Sequence, residues 1–352
     1  MTKKAYEICL MRGDGIGPEI LDATLLVMNK VSDCFHISFN YREVPAGDGA
    51  LREFGVALPK ESVDVFASSD ACLKGPVGET IGEINTKLRF AFDLYANVRP
   101  AKSFPSICPP ALRPDIDLVV IRENSEGFYR AIENQIQPGV WTCTGVFTEQ
   151  AANRIAEFSF RYLMKRQREL DRSLVLATKA NIFRSTQGMY LRVFEEVGKK
   201  YPAIKFSHLY ADALCARLVK EPHRFNVIVA ENLIGDLLSD LTGQIAGGLG
   251  MTAGTNINYE TKHAYFEPTH GSAPDIVGKG MANPIGMMRS AALMLEYLDF
   301  AYGDENLSKA SEAINASIAT LLSSNKRSSL PVELGGAADA RAVAESLVSL
   351  IA

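Results

Sequence analysis

The stretch Gly13-Asp-Gly-Ile-Gly-Pro18 decides which kind of α/β fold the sequence predicts. It follows the strand-like segment Ala5-Tyr-Glu-Ile-Cys-Leu-Met-Arg12 and precedes a helix-like segment at 18–31, where a Rossmann domain carries its dinucleotide-binding fingerprint. That fingerprint, G-x-G-x-x-G, requires a third glycine where this chain has Pro18. Proline is instead favourable in the first turn of a helix. The stretch therefore predicts a tight strand-to-helix turn and argues against a Rossmann domain.

Outward from that turn, strand-like and helix-like segments alternate, which favours an α/β sheet architecture. The predicted strands are 36–44, 70–73, 93–98, 116–122, 173–178, 204–210 and 226–230, and the predicted helices are 18–31, 149–167, 185–200, 231–247, 284–302, 304–324 and 339–351. The β-rich interval 127–149, with Gln135-Ile-Gln-Pro-Gly139 as a turn, breaks the alternation. It predicts either an arm that reaches a second subunit or a plain surface hairpin.

Composition excludes several classes of protein. A chain of 352 residues, 47% hydrophobic and 22% charged, is long enough for two domains with their own cores. The net charge of -4 and the scattered basic residues argue against a nucleic-acid partner. No apolar run approaches the roughly 20 residues of a membrane span. Six widely spaced cysteines, including Cys108, and no signal-peptide pattern predict a cytoplasmic protein with reduced, mostly buried thiols.

Two acidic residues stand four apart in the run Glu231-Asn-Leu-Ile-Gly-Asp-Leu-Leu-Ser-Asp-Leu241. If the run is helical, Asp236 and Asp240 project from one face of an apolar segment and repel each other. No Lys or Arg occurs from Glu231 to Glu260, so the pair resembles oxygen ligands for Mg²⁺ or Mn²⁺. Charged pairs on helices are more often solvated surface features, so the spacing alone leaves both interpretations open.

A long polar loop is predicted at 266–284, since two prolines and three glycines between its flanking proline and phenylalanine exclude a regular element. His270, Ser272, Asp275 and Asn283 supply hydrogen-bonding groups, as in many binding loops. An inert surface loop is equally consistent with this composition.

Three arginines are candidates for anion binding. Arg89 lies in a helix-like segment, Arg99 follows a strand-like one and Arg122 ends a strand with a buried pattern. Guanidinium groups bind carboxylates bidentately, so convergence of the three would indicate a polyanionic substrate. Each alone is equally consistent with a surface or salt-bridged arginine.

Six motifs together resemble the isocitrate/isopropylmalate dehydrogenase family, whose members are metal-dependent β-decarboxylating dehydrogenases. They are Gly13-Asp-Gly-Ile-Gly-Pro-Glu19, Tyr95-Ala-Asn-Val-Arg-Pro100, Arg122-Glu-Asn-Ser-Glu-Gly-Phe-Tyr129, Lys179-Ala-Asn181, Gly235-Asp-Leu-Leu-Ser-Asp240 and His270-Gly-Ser-Ala-Pro-Asp275. Their order along the whole chain makes the resemblance specific, although any one motif alone would be weak.

The resemblance implies an isopropylmalate dehydrogenase-like α/β/α two-lobed fold, non-Rossmann, with an antiparallel arm at the dimer interface. The large, cofactor-binding lobe would comprise 1–100 and 252–352, and the small lobe, with the dimerisation surface and the metal site, would comprise 101–251. The protein would be a homodimer whose active sites, in the cleft between the lobes, are shared by both subunits.

The resemblance also implies roles for individual residues. Metal ligands would be Asp236, Asp240 and the other subunit's counterpart of Asp212; substrate-binding residues Arg89, Arg99, Arg122 and Asn85; catalytic residues Tyr129 and, across the dimer, Lys179; and cofactor-binding residues His270, Gly271, Ser272, Ala273, Asp275, Ile276, Asn283 and Asn181. Tyr129 and Lys179 would act as an acid/base pair on a small polycarboxylate.

The cofactor is predicted to be NAD. A carboxylate at Asp275 accepts hydrogen bonds from the adenosine ribose but repels a 2′-phosphate. In members of the family that use NADP, the two residues at the positions of Asp275-Ile276 resemble Lys-Tyr. Glu333 lies where relatives often place an aspartate near the adenosine.

The substrate is less well determined. Isopropylmalate enzymes line the pocket with leucines one helical turn before the first arginine. In this chain the predicted helix has Asn85 and Thr86 one turn before Arg89. Asn85 matches an asparagine of isocitrate enzymes, and Thr186-Gln-Gly188 resembles the isocitrate and homoisocitrate branches. Glu83 lies where bacterial isocitrate enzymes usually have a serine, and its carboxylate would repel a substrate carboxylate. Pairing with Lys87 at i,i+4 would instead turn Glu83 away from the pocket. The homoisocitrate branch often has an arginine in place of Thr86.

We therefore expect isocitrate to be the substrate, with homoisocitrate as the second alternative and 3-isopropylmalate as the third. A non-catalytic regulatory subunit of a hetero-oligomer is a further alternative. Such subunits usually lose a metal-binding aspartate, the tyrosine or the lysine, all of which this chain keeps.

Overall fold

The structure is a computed structural model that describes residues 5–104, 111–166, 172–324 and 326–351. Its strands are β1 (Tyr6–Met11), β2 (Phe39–Val44), β3 (Ala71–Lys74), β4 (Ala96–Lys102), β5 (Asp117–Glu123), β6 (Gly127–Gln137), β7 (Val140–Val146), β8 (Ser173–Thr178), β9 (Lys205–Tyr210), β10 (Val227–Ala230), β11 (Ala253–Asn258) and β12 (His263–Pro268). Its helices are α1 (Gly17–Phe35), α2 (Asp48–Phe54), α3 (Lys60–Ser68), α4 (Ile81–Ala91), α5 (Glu149–Lys165), α6 (Thr186–Gly198), α7 (Ala211–Lys220), α8 (Asn232–Ala246), α9 (Ile285–Tyr302), α10 (Glu305–Ser323) and α11 (Ala340–Leu350).

Every predicted helix and strand has a counterpart, which confirms the α/β prediction. The end of the predicted helix 149–167 and Cys108 lie outside the described residues. The Gly13–Pro18 stretch is the predicted strand-to-helix turn, because Gly13 and Gly15 have positive φ angles and Pro18 occupies the first turn of α1. The five described cysteines are free, with Cys143 exposed.

Ten strands form one mixed sheet in the order β2-β1-β3-β12-β11-β4-β5-β10-β8-β9. Most neighbours are parallel, but β11 is antiparallel to both β12 and β4, and β4 is antiparallel to β5. One row of register partners crosses these four central strands: Arg122 opposite Asn97, Asn97 opposite Asn256, and Asn256 opposite Tyr265. Because directly opposite residues point to the same face of a sheet, these side chains share one face.

Four apolar clusters form the core. Two draw their buried residues from 6–94 and 251–351, and the other two draw them from 95–246. This partition runs close to the lobe boundaries expected at 101 and 251, and the two-lobe division itself stays a prediction.

The predicted excursion at 127–149 is a two-stranded antiparallel hairpin of β6 and β7, outside the large sheet. Its turn contains Gly139 at a φ of 77°. Apolar side chains, including Ile136 and Trp141, are exposed along it. Contact of this arm with a second subunit stays a prediction. In the described residues, no helix is both long and apolar enough to cross a membrane.

Candidate active site

The acidic pair lies on α8, as predicted. Strand β10 leads into Glu231, whose buried carboxylate caps the helix by accepting hydrogen bonds from the backbone N–H of Leu233 and Ile234 at 3.0 and 3.1 Å. Asp236 and Asp240 follow one turn apart on this helix. The cap fixes where α8 begins and therefore where the two carboxylates stand relative to the end of β10.

The two carboxylates have cationic partners that are remote in sequence. Asp236 is bonded to the Arg122 guanidinium and to the Tyr129 hydroxyl. Arg99 Nη1 lies 3.1 Å from Asp236 Oδ1, 2.8 Å from Ser239 Oγ and 3.5 Å from Asp240 Oδ1. The pair is thus not unpartnered, since the fold supplies the positive charge that the local sequence lacks, and it is solvated mainly at Asp240, whose side chain is 54% exposed.

Charge and burial set the protonation states in this cluster. Burial raises the pKa of Asp236, but Arg122 and Arg99 outweigh it and hold the pKa below its ordinary value. Burial raises the pKa of Asp240, which Arg99 only partly offsets. Burial, and then repulsion from Arg99 and Arg89, lower the pKa of Arg122 to about 9. Asp236 is therefore ionised at neutral pH, while Asp240 gains from any added positive charge.

All three predicted substrate arginines are held at Nε by an asparagine Oδ1. The distances are 3.1 Å for Arg89 to Asn256, 3.0 Å for Arg99 to Asn97 and 2.8 Å for Arg122 to Asn232. Because a guanidinium is planar, a bond at Nε fixes its orientation and leaves its Nη groups for carboxylates. We call Arg89, Arg99 and Arg122 the arginine clamp.

One edge of the clamp lacks a protein partner. The side chain of Arg122 is buried, yet no hydrogen bond to its Nη2 is found among the described residues. The Arg122 guanidinium also lies 4.7 Å from the centre of the Tyr129 ring. An unsatisfied, buried guanidinium N–H is costly, so this position suits a carboxylate of a bound molecule.

Asn85 lies one turn before Arg89 on α4, so both residues occupy one face of the helix. Asn85 is buried, and its Oδ1 has no partner within the described residues. Glu83 is exposed. Lys87 donates to the Leu58 carbonyl at 3.1 Å, and no ion pair between Lys87 and Glu83 is found in the described chain. The pairing of Glu83 with Lys87 that the sequence suggested is therefore wrong.

Lys179 and Asp212 lie together, apart from the acidic pair. Lys179 follows β8, and its Nζ lies 2.6 Å from Asp212 Oδ2 in the first turn of α7. The Asp212 side chain is 67% exposed, and Asn181 is exposed as well. No three acidic, His or Cys side chains form a metal site within the described parts of one chain. One chain thus does not bring Asp212 together with Asp236 and Asp240.

The loop predicted at 266–284 begins only at 269, because residues 266–268 end strand β12. We call 269–284 the cofactor loop, after its predicted role. It is tied to the glycine turn at the start of the chain, since Ile16 N–H donates to the Ser272 carbonyl at 3.0 Å. Ala273 has a left-handed φ of 43° before the short turn Pro274–Ile276. Gly271 and Asp275 are exposed, and Ser272, Ala273 and Ile276 are half-buried. The loop therefore has a defined conformation and presents an accessible carboxylate.

Two polar residues at the ends of this loop, and Glu333 beside it, have defined environments. Burial lowers the pKa of His270, so its ring is neutral at physiological pH, and its buried Nε2 has no partner in the described residues. Asn283 lies just before α9, where it accepts from Ile285 N–H at 3.1 Å and donates to Glu333 Oε2 at 2.8 Å. Glu333 Oε1 accepts from Gly250 N–H at 3.2 Å. Glu333 thus braces Asn283 and the turn at Gly250.

Sequence reasoning missed the asparagines that hold the clamp. Asn97 and Asn232 lie inside motifs already singled out, beside Arg99 and Glu231. Asn256 belongs to no motif, and only an asparagine in an apolar, buried strand could have signalled it.

The chain resembles known proteins over nearly its whole length. The 3-isopropylmalate dehydrogenase of Saccharolobus solfataricus is 39% identical over 334 residues, 95% of this chain and 96% of that protein. The 3-isopropylmalate/3-methylmalate dehydrogenase of Methanocaldococcus jannaschii is 39% identical over 312 residues, 88% of this chain and 91% of that one. The isocitrate/homoisocitrate dehydrogenase of Thermus thermophilus is 38% identical over 353 residues, 99% of both. The crystal structure of isocitrate dehydrogenase from Methylococcus capsulatus matches with a TM-score of 0.89 and 35% identity, covering 98% of this chain and 99% of that chain.

The fold and these comparisons define a decarboxylating dehydrogenase, an oxidoreductase of a family whose members bind small molecules. Residues 7–343 match the isocitrate/isopropylmalate dehydrogenase family. The chain belongs to this family, as the six motifs predicted.

Proposed function

We propose that the protein catalyses the NAD-dependent oxidative decarboxylation of a 2-hydroxy-3-carboxy acid, with isocitrate as the substrate, giving 2-oxoglutarate and CO₂. The arginine clamp beside Tyr129 and Asp236 carries this proposal. Each of the three guanidinium groups is oriented at Nε. One Nη group of Arg99 and one of Arg122 contact Asp236, Arg89 Nη2 lies 3.7 Å from Glu267 Oε1, and the buried Arg122 Nη2 has no partner among the described residues. The Nη positions that these contacts leave suit a substrate with more than one carboxylate.

The donors present fit a divalent metal ion. Asp236 and Asp240 supply carboxylate oxygens, which suit hard cations such as Mg²⁺ or Mn²⁺. The third carboxylate would be Asp212 of another subunit, which is exposed and pairs with Lys179 of its own chain. The cofactor loop also fits its ligand, because the buried Nε2 of His270 lacks a partner in the described chain and Asp275 is exposed. An exposed carboxylate favours the ribose hydroxyls of NAD over the 2′-phosphate of NADP.

The bound metal ion and NAD⁺ would supply electron withdrawal at the 2-hydroxyl and a hydride acceptor. The chain's own groups then bind the acid and move protons. The arginine clamp neutralises the substrate carboxylates. Burial and the bond to Asp236 raise the pKa of Tyr129, so its hydroxyl is protonated at neutral pH and can donate a proton to carbon after CO₂ leaves. Lys179 of the other subunit would take the proton of the 2-hydroxyl.

Exposed apolar residues support a homodimer with shared sites. On α8, Leu233 and Leu237 are exposed one turn apart, beside the acidic pair, and Leu237 is 65% exposed. Ile182 and Phe183, just after Lys179, and Trp141 on the arm are exposed too. A second copy covering these residues would bury apolar surface and bring Lys179 and Asp212 to the partner's site.

The polar residues on α4 favour isocitrate. Asn85 offers an unpartnered, buried amide oxygen and Thr86 is half-buried, which provides little apolar surface for an isopropyl group. 3-Isopropylmalate is the second candidate, because two of the relatives above are named for it. Homoisocitrate is the third candidate, because the Thermus relative is named isocitrate/homoisocitrate dehydrogenase.

Comparing kcat/KM for isocitrate, homoisocitrate and 3-isopropylmalate, each with NAD and NADP at saturating Mg²⁺ or Mn²⁺, tests the proposal. We expect isocitrate with NAD to be best. A higher value for either other acid would replace the substrate, and equal use of NADP would contradict the role of Asp275. Absence of turnover with all three would favour the regulatory-subunit alternative, against which the retention of Asp212, Asp236, Asp240, Tyr129 and Lys179 argues.

A further inference from the structure

We propose that Asn256 is a positioning residue that orients two of the three arginines of the clamp, an inference that rests on the proposed role of the clamp in binding substrate. Asn256 lies on β11 in the middle of the row of side chains that crosses the central strands, and it is fully buried. It touches neither end of α8 nor the cofactor loop among its hydrogen bonds. Its effect on the reaction would therefore pass through its neighbours.

The Asn256 amide oxygen accepts hydrogen bonds from three segments of the chain. Arg89 Nε of α4 lies at 3.1 Å, Asn97 Nδ2 of β4 at 2.9 Å and Asn124 Nδ2, after β5, at 2.8 Å. Asn256 Nδ2 in turn donates to Glu267 Oε1 at 3.2 Å. All of these groups are buried, so Asn97 Nδ2 would lose its acceptor without gaining water if the amide were removed. Arg89 Nε would keep only the Tyr265 hydroxyl at 3.0 Å, and Asn124 Nδ2 only the Leu94 carbonyl at 3.1 Å.

The second arginine is held indirectly. An asparagine amide that donates through Nδ2 in one direction presents Oδ1 in the other. Because Asn97 donates to Asn256, its Oδ1 faces Arg99 Nε and accepts a hydrogen bond at 3.0 Å. Without Asn256, Asn97 Nδ2 loses the acceptor that favours this orientation of its amide. One side chain thus helps, together with the Tyr265 hydroxyl, to fix the plane of the Arg89 guanidinium, and it acts on Arg99 through Asn97.

Arg122 does not depend on this amide, since its Nε bonds to Asn232 on α8. Loss of Asn256 should therefore loosen the grip on substrate carboxylates while leaving Arg122, Tyr129 and Asp236 in place. The expected signature is a rise in KM for the acid with a smaller fall in kcat, and no change in KM for NAD.

Asn258 provides a matched control. It lies two residues on, on the same face of the same strand, and is equally buried. Its amide accepts from the backbone N–H of Glu260 and Thr261 at 3.0 and 3.2 Å and donates to the Asp93 carbonyl at 3.0 Å. Asn258→Ala thus removes a buried amide of the same kind without releasing an arginine.

The experiment compares Asn256→Ala, Asn256→Asp and Asn258→Ala in the full-length protein, with the acid that the wild type oxidises best. We expect Asn256→Ala to lower kcat/KM for the acid about 10- to 100-fold, the range for losing hydrogen bonds to a charged group. Asn256→Asp keeps an acceptor for Arg89 and Asn97 but faces Glu267, so it should restore part of the loss. Asn258→Ala should leave both KM values unchanged.

Equal effects of Asn256→Ala and Asn258→Ala, or equal rises in KM for the acid and for NAD, would overturn the proposal. If Asn256→Ala does not fold, Asn256→Asp carries the same comparison, and a value of KM for the acid equal to that of the control would also overturn it. If the wild type oxidises none of the acids, the proposed function has failed. Crystal structures then decide separately: an unmoved Arg89 guanidinium and Asn97 amide in an Asn256 variant would refute the positioning role.

Discussion

Replacing Asp240 by asparagine should separate metal binding from folding. The Asp240 side chain is 54% exposed, and its only ion pair among the described residues is the 3.5 Å contact with Arg99. Exposed ion pairs contribute about 0–1 kcal/mol, so their loss costs little. Burial raises the pKa of Asp240 in the folded protein, which means that its charged form opposes folding as the pH rises past its unfolded value. At neutral pH the metal-free variant should therefore melt within about 2 °C of the wild type.

The metal-bound state should differ sharply. Mn²⁺ at 100 times its Kd stabilises a protein by about 2.7 kcal/mol, which raises the Tm of a chain of this size by roughly 4 °C. Asp240→Asn removes one of the proposed anionic ligands, so this shift should largely disappear. At a Mn²⁺ concentration near the wild-type Kd, kcat/KM should fall at least about 100-fold, the upper end of losses measured for groups that only support a ligand.

The assay is a pair of melting curves, without and with Mn²⁺, alongside initial rates of NAD reduction. Asp64→Asn is the control, because Asp64 is 60% exposed and makes one exposed ion pair with Lys60 at 2.7 Å. An Asp240→Asn variant that keeps both the Mn²⁺ shift and the activity would refute the metal site.

Further predictions address the dimer, the arm, the cofactor and Tyr129. The Lys179→Met and Tyr129→Phe variants should each be inactive alone, but about a quarter of the wild-type activity should return when the two are unfolded and refolded together. Random pairing makes about half of the dimers mixed, and each mixed dimer has one intact site of two. No recovery of activity would mean that the sites are not shared. Trp141 is the only tryptophan, so its fluorescence should shift to the red when dilution separates the subunits, whereas an unchanged spectrum would place the arm outside the interface. Replacing Asp275 by lysine together with Ile276 by tyrosine should raise the NADP-to-NAD ratio of kcat/KM at least about tenfold by exchanging repulsion for attraction, and an unchanged ratio would contradict the proposed ribose contact. Tyr129→Phe alone should lower kcat about 100-fold or more, as expected for loss of a general acid, with KM for NAD unchanged; near-normal kcat would assign the proton to another group.

The sequence predicts regular elements well where side-chain patterns are strong. Helix α8 was expected at 231–247 and lies at Asn232–Ala246, since its leucines follow helical spacing and Glu231 caps it. Strand β11, with the sequence Ala-Gly-Thr-Asn-Ile-Asn, was not predicted. Asparagine and glycine are poor strand formers, and this strand is fixed by its position between β12 and β4 rather than by its own propensity.

The candidate site was predictable as a set of residues but not as an arrangement. The acidic pair lacked a basic residue nearby in sequence, while Arg99 and Arg122 reach Asp236 from 137 and 114 residues away. Only tertiary structure reveals such contacts. The suggested pair of Glu83 and Lys87 failed for the converse reason. The i,i+4 spacing of the two residues was suitable, but Lys87 donates a hydrogen bond to the Leu58 carbonyl, a contact that no local sequence pattern predicts.

Helix α4 divides two tasks between its ends. Arg89, near the last turn, donates hydrogen bonds to Asn256 and Tyr265 of the ten-stranded sheet. The first two turns carry Glu83, Asn85 and Thr86, whose side chains form no hydrogen bond to this sheet within the described residues. Under the proposed function, changes at the first turns should therefore alter which substituent of the acid is accepted without disturbing how its shared carboxylates are held. An enzyme built this way can acquire a new substrate through a few substitutions in one short segment, which gives a physical basis for relatives of similar identity that are named for different acids.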